Sequence, residues 1–190
     1  MRKLVYDVAL TLDGFIAHED GSIGGFAMEG AHADAYMERL QGYDTVVMGR
    51  KTYEAGYAFG LKPGQRAYPH MDHYIVSKTL ELGDDAEVTV VRGDFVDAVK
   101  KLKQADGGDI YLCGGGMLAG VLLDHGLIDQ LLIKLNPVII GSGISLFGAR
   151  AGQVAATLID TETYENGVVL LRYSLGNLSR VATGVQAMPA

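Results

Sequence analysis

Residues 110–120, IYLCGGGMLAG, constrain the fold more than any other stretch of the sequence. A short apolar run ends at three consecutive glycines, and residues with helical patterning follow directly. Glycine loses more conformational entropy on folding than any other residue, so three in succession are costly. The pattern therefore predicts a buried strand that turns tightly into a helix, which is the unit from which α/β sheets are built.

The same alternation runs through most of the chain. Apolar and β-branched runs predict strands at residues 3–10, 44–49, 73–77, 87–92 and 109–113. Helical patterning predicts helices at residues 31–41, 51–60, 94–105 and 116–126, with Asp94 as the cap of the third.

Two further strand signals follow without a helix between them. They are a long strand over residues 127–140 that is interrupted near Pro137, and a hairpin over residues 157–175 that turns at 165–167. The order predicts an α/β fold with a mixed, mostly parallel sheet and an antiparallel C-terminal hairpin. We expect a single domain over residues 1–175 and a loose arm over residues 176–190.

Charge and composition narrow the classes of partner. The net charge of -7 argues against nucleic acid, because phosphate-backbone binders carry a basic excess. No apolar run reaches the roughly 18 residues of a membrane span, and Asp7 and Asp13 interrupt the apolar N-terminal run that a signal peptide needs. Cys113 is the only cysteine, which fits a reducing compartment. We therefore expect a cytoplasmic protein.

The loop after the second predicted strand has the composition of an anion site. Gly49 allows a tight exit, and Arg50, Lys51 and Thr52 follow at the start of a helix. Cations there oppose the helix dipole, whereas a bound phosphate would reverse that balance. A phosphate site and a solvated basic turn remain equally open.

Two more loops at strand ends carry related chemistry. Ser77 and Lys78 follow the third strand and suit a second phosphate, although a polar turn is the alternative. The glycines at 114–116 would let a backbone approach a diphosphate. A Rossmann fingerprint is disfavoured, because the run follows the fifth strand and no acidic residue ends the next one. Together the loops indicate one extended ligand with two phosphate-bearing regions, and NADPH rather than NADH.

Five segments, in this order, resemble the dihydrofolate reductase superfamily, and most closely the reductase domain of bacterial riboflavin biosynthesis. They are VALTLDGFIA, VVMGRKTYE, YIVSKT, IYLCGGGMLAGVLL and GLIDQLLIKLNPVIIGSGISLF, spread over residues 3–173. The resemblance implies a dihydrofolate reductase-like sheet of about eight strands. It also implies a homodimer and hydride transfer from NADPH to a C=N or C=O bond of a small heterocyclic or carbonyl substrate.

The resemblance also assigns roles by position. Ala9 and Leu10 would offer backbone contacts to the nicotinamide carboxamide, and residues 11–25 would form a mobile lid. It implies a cis peptide bond between the first two glycines of the run. The residues expected to hold the phosphates are Gly49, Arg50, Lys51, Thr52, Ser77, Lys78, Gly114, Gly115, Gly116, Met117 and Leu118.

The catalytic acid is less well defined. Folate reductases place an acid in the first helix, and Asp34 lies near that position; a solvated helix carboxylate is the alternative. The chain has no Trp, which folate reductases commonly carry in the lid, and TLDG matches the riboflavin branch instead. There Asp13 would shape a turn with Gly14. The deaminase zinc motif of the bifunctional riboflavin enzymes is missing, so we expect a stand-alone reductase.

Other constellations carry weaker signals. His70, Asp72 and His73 lack a clear further ligand, so a surface loop is favoured over a metal site. We expect an NADPH-dependent oxidoreductase like 5-amino-6-(5-phosphoribosylamino)uracil reductase or dihydrofolate reductase. The alternatives are a true dihydrofolate reductase and a non-catalytic NADP-binding module.

Overall fold

Ten strands and four helices form the regular structure of the described residues. The structure is a computed structural model that describes residues 1–149 and 153–176, so the predicted C-terminal arm lies outside the described residues apart from Gly176. The strands are β1 (Leu4–Thr11), β2 (Phe15–Ala17), β3 (Tyr43–Gly49), β4 (Asp72–Val76), β5 (Thr89–Val91), β6 (Asp109–Cys113), β7 (Gln130–Asn136), β8 (Ile144–Ser145), β9 (Ala156–Thr163) and β10 (Val169–Leu175). The helices are α1 (Ala31–Leu40), α2 (Arg50–Ala55), α3 (Phe95–Gln104) and α4 (Gly116–Asp124), and a 3₁₀ turn (Gly56–Phe59) follows α2.

Eight of the strands form one sheet, in the order β5-β4-β3-β6-β1-β7-β10-β9. The first six strands of this order, from β5 to β7, pair with their neighbours in parallel, and β10 pairs antiparallel to both β7 and β9. This confirms the mixed, mostly parallel sheet with an antiparallel C-terminal hairpin. The carboxyl ends of the parallel strands meet at one edge, where ligands bind in open α/β sheets.

Alternate residues of β1 face opposite sides of the sheet, as they must in any strand. Leu4, Tyr6, Val8 and Leu10 belong to the core on the side that carries α3 and α4. Val5 belongs to the core on the other side, together with residues of β3 and α2. Asp7 and Ala9 therefore face the side of the sheet on which α1 and α2 lie.

A local signal explains where α3 begins. The backbone N–H of Asp97 donates to Asp94 Oδ1 at 3.0 Å, so Asp94 caps α3 as predicted. None of the helices in residues 1–149 and 153–176 is long and apolar enough to cross a membrane.

The structure differs from the sequence prediction in the extent of one strand and in one additional strand pair. The strand predicted over residues 127–140 is only β7, and it ends directly before Pro137, near which an interruption was predicted: Pro137 has no N–H to donate, and Val138 N–H turns back to Asn136 O at 2.8 Å. The short antiparallel pair of β2 and β8 was not predicted. These strands have three and two residues, too few for an alternating pattern to be visible.

Candidate active site

A cleft of about 420 Å³ opens at the carboxyl ends of the parallel strands. Its floor is β1, through Asp7, Val8 and Ala9, and one wall is α1. Thr52 of α2 and Gly114 after β6 line its other end. The cleft therefore joins the loops expected to bind a dinucleotide to a pocket under α1.

The structure brings the three predicted phosphate loops together. A Cβ on Gly114 would lie 3.1 Å from Thr52 Cγ2, so the loops after β3 and β6 are in contact. Arg50 Nη1 donates to Thr79 Oγ1 at 3.0 Å, which joins the loop after β3 to the loop after β4. Ser77 Oγ accepts the backbone N–H groups of Thr79 and Leu80 and so shapes its own turn.

The backbone of β1 is open where nicotinamide contacts are expected. β1 pairs with β7 as far as Thr11 opposite Asn136, but with β6 only as far as Tyr6 opposite Leu112. The β6 side of Ala9 and Leu10 therefore has no strand partner in the described sheet. Ala9 lines the cleft, whereas the side chain of Leu10 is in the core, so only its backbone can face a ligand.

The glycine run divides into two parts with different roles. Gly114 and Gly115 have φ of 63° and 87°, a region in which residues with a Cβ are strained. Gly116 and Gly120 are instead required by packing, since a Cβ would lie 2.1 Å from Ser145 O and 2.3 Å from Phe147 O. The sequence alone does not distinguish these two roles, because both require glycine.

The prediction of a cis peptide bond between Gly114 and Gly115 is wrong. The described residues contain no cis peptide bond, and positive φ angles at both glycines make the turn instead. The turn therefore consists of two glycines with positive φ followed directly by the start of α4. There the first backbone N–H to bond within the turn is that of Ala119, which donates to Gly115 O at 2.9 Å.

The remaining predicted cofactor residues differ in their exposure to solvent. Lys51 and Lys78 are exposed, and Gly49 is half-buried at the end of β3. Met117 is exposed, but Leu118 packs in the core, so only its backbone could contact a diphosphate.

Asp34 is not part of the cleft. It is exposed on α1, while His32, Tyr36 and Arg39 of the same helix line the cleft. The carboxyl group in the cleft belongs to Asp7, which the sequence analysis considered only as an interruption of the N-terminal run. Asp7 is buried, and its Oδ2 accepts from Arg39 Nε at 3.2 Å. Burial raises the pKa of Asp7, against the opposing effect of Arg39.

Three tyrosine hydroxyls converge beside Asp7. Tyr36 OH lies 2.9 Å from Tyr111 OH and 3.5 Å from Tyr68 OH, and Tyr68 OH lies 3.7 Å from Cys113 Sγ. All four residues line the cleft. Burial raises the pKa of Tyr36 to about 12 and raises the pKa of Tyr68 and Tyr111 further, so these hydroxyls keep their protons at neutral pH.

The profile of the RibD C-terminal domain matches residues 2–170. The chain belongs to the RibD C-terminal domain family. This confirms the resemblance on which the sequence analysis drew, and it supports a reductase of the superfamily that includes RibD and dihydrofolate reductase.

Relatives and solved structures agree with this assignment. The chain is 33% identical over 172 residues to the uncharacterized protein YwjB of Bacillus subtilis strain 168, covering 89% of this chain and 96% of that protein. A putative riboflavin biosynthesis protein from Shewanella sp. PV-4 matches with a TM-score of 0.73 and 25% identity, over 93% of this chain and 100% of that one. Dihydrofolate reductase from Enterococcus faecalis, complexed with NADP(H), shares the fold with a TM-score of 0.65 and 16% identity, over 92% of this chain and 97% of that one.

Two residues of the RibD-like chain fix the entrance to α1. Lys134 Nζ donates to Ala27 O at 2.5 Å, and Ala27 N–H donates to Asn136 Oδ1 at 3.0 Å. Asn136 is fully buried, and its amide also donates to Leu10 O at 3.2 Å. β7 therefore positions the segment that carries Met28 and His32 into the cleft.

The predicted lid consists of two unlike halves. Asp13 Oδ2 accepts the backbone N–H groups of Ile140 and Gly141 at 3.1 and 2.7 Å, and β2 pairs with β8 just beyond it. Residues 19–25 are exposed and include Ile23, which lines the cleft. Any closing motion is therefore expected in residues 19–25 rather than in the anchored first half.

The two histidines considered for a metal have other partners. His70 Nε2 pairs with Leu40 O at 2.9 Å. His73 is buried between Met71 O, 3.0 Å from its Nδ1, and the backbone N–H of Tyr68, which donates to its Nε2 at 3.2 Å. His73 therefore holds Tyr68 in place, a role that spacing alone could not show.

Proposed function

We propose that the protein is an NADPH-dependent reductase that transfers a hydride to a C=N or C=O bond of a small, flat substrate. The observation that carries this proposal is the continuity of the cleft. One cavity runs from Thr52 and Gly114, at the phosphate loops, past the open edge of β1 to the tyrosines of the α1 side. A dinucleotide along the loops would present its nicotinamide to a substrate under α1.

The residues present fit NADPH. Gly114 lines the cleft and has no side chain between its backbone and a ligand, and Arg50, Lys51 and Lys78 supply positive charge in the segments after β3 and β4. NADPH supplies the hydride when bound; the chain binds it, orients it and excludes water.

The substrate side favours a flat and uncharged molecule. The described residues that line the cleft include one arginine and one lysine, and both are engaged: Arg39 with Asp7, and Lys134 with Ala27 O. Tyr36, Tyr68 and Phe26 line it with aromatic surface. A phosphate on the substrate would have to compete with these contacts within the chain, so we propose a substrate that lacks one.

The test begins with the cofactor. Titration with NADPH and with NADH, followed by ligand fluorescence, is expected to show preferential binding of NADPH. NADPH oxidation is then measured with dihydrofolate, a dihydropterin, cyclic ketones and imines, and 5-amino-6-ribosylaminouracil with and without its 5-phosphate. Absence of NADPH binding would refute the proposal. Binding without turnover of any acceptor would favour the non-catalytic module, and turnover of dihydrofolate alone would favour a true dihydrofolate reductase.

We also propose a cytoplasmic homodimer, as the family resemblance implies. All eight residues of β9 are exposed at the edge of the sheet, and Leu158 and Ile159 are about half exposed. Long, unpaired edge strands are normally covered, and a second copy of this chain would cover the edge of β9 together with Leu158 and Ile159. Light scattering of the full chain is expected to give the mass of a dimer, and Ile159→Lys is expected to shift it towards a monomer.

A further inference from the structure

We propose that Asp7, a residue of β1, is the acid that protonates the substrate as the hydride arrives. The inference rests on the proposed function, because a C=N or C=O bond needs one proton for each hydride it accepts. It assigns to a buried strand residue the role that the sequence analysis gave to Asp34 of α1.

Asp7 has the position that a proton donor requires. It lines the cleft on the same face of β1 as Ala9, two residues before the proposed nicotinamide contact. Two residues along a strand span roughly 7 Å, a distance that a bound substrate ring can bridge. Arg39 Nε engages Oδ2 at 3.2 Å, and none of the hydrogen bonds within the described residues involves Oδ1. Oδ1 is therefore the oxygen left for a ligand.

The surroundings of Asp7 favour a carboxyl group that keeps its proton. The ionisable side chains that face it are Arg39 and Tyr36 of α1, Tyr43 of β3, Tyr111 and Cys113 of β6, Lys134 of β7 and Arg172 of β10. The cations favour the carboxylate, but burial away from water opposes it more strongly and raises the pKa of Asp7. A carboxyl group whose pKa is raised holds its proton to a higher pH than an exposed carboxyl group does, and a proton donor needs this property.

The tyrosines are less suited to that step. Burial raises the pKa of the Tyr36 hydroxyl to about 12, and that of Tyr68 is raised further. Such hydroxyls are weaker acids than a free phenol, and they serve as hydrogen-bond donors that orient the substrate.

The step balances with one hydride and one proton. The substrate carbon accepts a hydride from the reduced nicotinamide, which is oxidised, and the π electron pair of the C=N or C=O bond moves to the nitrogen or oxygen. That atom takes the proton from Asp7 Oδ1. The carboxylate that remains is paired with Arg39, and Asp7 regains a proton from water after the product leaves.

The first test is spectroscopic and needs no substrate. The full chain is labelled with ¹³C at the aspartate carboxyl carbons, and Asp7→Asn identifies the Asp7 signal by its loss. We expect this signal to titrate above the usual aspartate range. An Asp7 signal that titrates with the exposed aspartates would overturn the proposal, even if NADPH binds normally.

The second test separates chemistry from binding. With an acceptor that the wild-type protein reduces, Asp7→Asn is expected to lower the single-turnover rate by about 10²- to 10⁴-fold. The dissociation constant for NADPH should be unchanged, and the alkaline decline of the wild-type pH profile should vanish. Glu38→Gln, which removes an exposed carboxylate of α1, is the matched control and should retain the full rate. Full activity in Asp7→Asn with loss of activity in Asp34→Asn would return the role to Asp34.

A third variant keeps the proposal testable if Asp7→Asn does not fold. Arg39→Met removes the cation that favours the carboxylate, and it leaves Asp7 in place. The Asp7 signal and the alkaline limb of the rate profile should then both move to higher pH. A shift in neither would contradict the proposed link between Arg39 and the acid. Failure of the wild-type protein to bind NADPH would instead refute the proposed function and would leave the Asp7 titration as a separate result.

Discussion

The two sides of the cleft are built from different kinds of residue. The proposed cofactor side consists of three chain segments that follow β3, β4 and β6: the first turn of α2, residues 77–79 and the turn at 114–115. The proposed substrate side is assembled from β1, α1, β6 and residues 61–68, and its polar contacts join residues far apart in sequence. Tyr36 and Tyr111, whose hydroxyls lie 2.9 Å apart, are 75 residues apart in the chain.

The contrast shows which part of a site can be recognised from one short segment of the sequence. A phosphate needs backbone conformations and cations that a few consecutive residues supply, so a loop such as 49–52 carries its own signal. A substrate pocket needs side chains that converge from several elements, and no single segment reveals that convergence. The following predictions test whether a substitution on one side of the cleft leaves the ligand affinity of the other side unchanged.

We expect the most severe consequence at Gly120, one of the two glycines that packing requires. Gly120→Ala would place a Cβ 2.3 Å from Phe147 O, and α4 or the segment at 145–148 would have to shift. We expect a loss of about 3 kcal/mol in the free energy of unfolding, measured with urea.

Gly93→Ala is the matched control, because Gly93 has open space around its Cβ position and no positive φ. It should change stability by no more than about 0.5 kcal/mol. Equal stability of the two variants would contradict the packing role of Gly120.

The second prediction concerns Arg50, on the cofactor side alone. Hydrogen bonds to charged groups contribute about 1.5–3 kcal/mol, so Arg50→Ala should weaken NADPH binding by about 10-fold or more. NADH affinity should change little, since NADH lacks the 2′-phosphate. Lys100→Ala removes an exposed cation of α3 and is the control. An unchanged ratio of NADPH to NADH affinity would show that Arg50 does not recognise the 2′-phosphate.

The sequence predicted most of the fold because its signals are local. Asp94 marks the start of α3, and the glycines at 114–116 mark the end of β6. The pairing of β2 with β8 escaped prediction because these strands join residues more than 120 positions apart and are too short to show a pattern.

The site was predicted on one side only, for the same physical reason. Arg50 and Ser77 follow directly from their strands and could be recognised there. Asp7 resembled any polar interruption of an apolar run, and only the partner Arg39, 32 residues later, and the burial by α1 give it a chemical role. A signal was available in its spacing, since Asp7 and Ala9 share a face of β1.

The third prediction concerns Tyr68, on the substrate side alone. Tyr68→Phe removes a hydroxyl that lies 3.5 Å from Tyr36 OH and 3.7 Å from Cys113 Sγ. A neutral hydrogen bond contributes about 1 kcal/mol, so KM for the acceptor should rise roughly 5-fold. NADPH affinity, measured by fluorescence titration, should stay the same. Tyr57→Phe, at a tyrosine that does not line the cleft, is the control. A matching fall in NADPH affinity would show that the two sides are coupled.

The smallest expected effect is a dependence of stability on pH that belongs to the substrate side. Burial lowers the pKa of His73, whose Nε2 accepts the N–H of Tyr68 and must therefore be unprotonated. The stability that neutral His73 contributes is complete above its unfolded pKa of about 6.5 and is lost as the pH falls through the lower folded pKa. The slope cannot exceed about 1.4 kcal/mol per pH unit.

Burial also raises the pKa of Asp7, and this shift acts in the opposite direction, because it stabilises the fold as the pH falls. The stability curve of the wild-type protein is therefore the sum of the two effects. The informative quantity is therefore the difference between wild type and His73→Gln, from urea unfolding between pH 7.5 and 5. We expect the wild-type protein to lose more stability than the variant over that range, and parallel curves would contradict the role of His73. Because the loops 49–52, 77–79 and 114–118 contain no histidine, this acid sensitivity should reach Tyr68 and leave the cofactor loops unchanged.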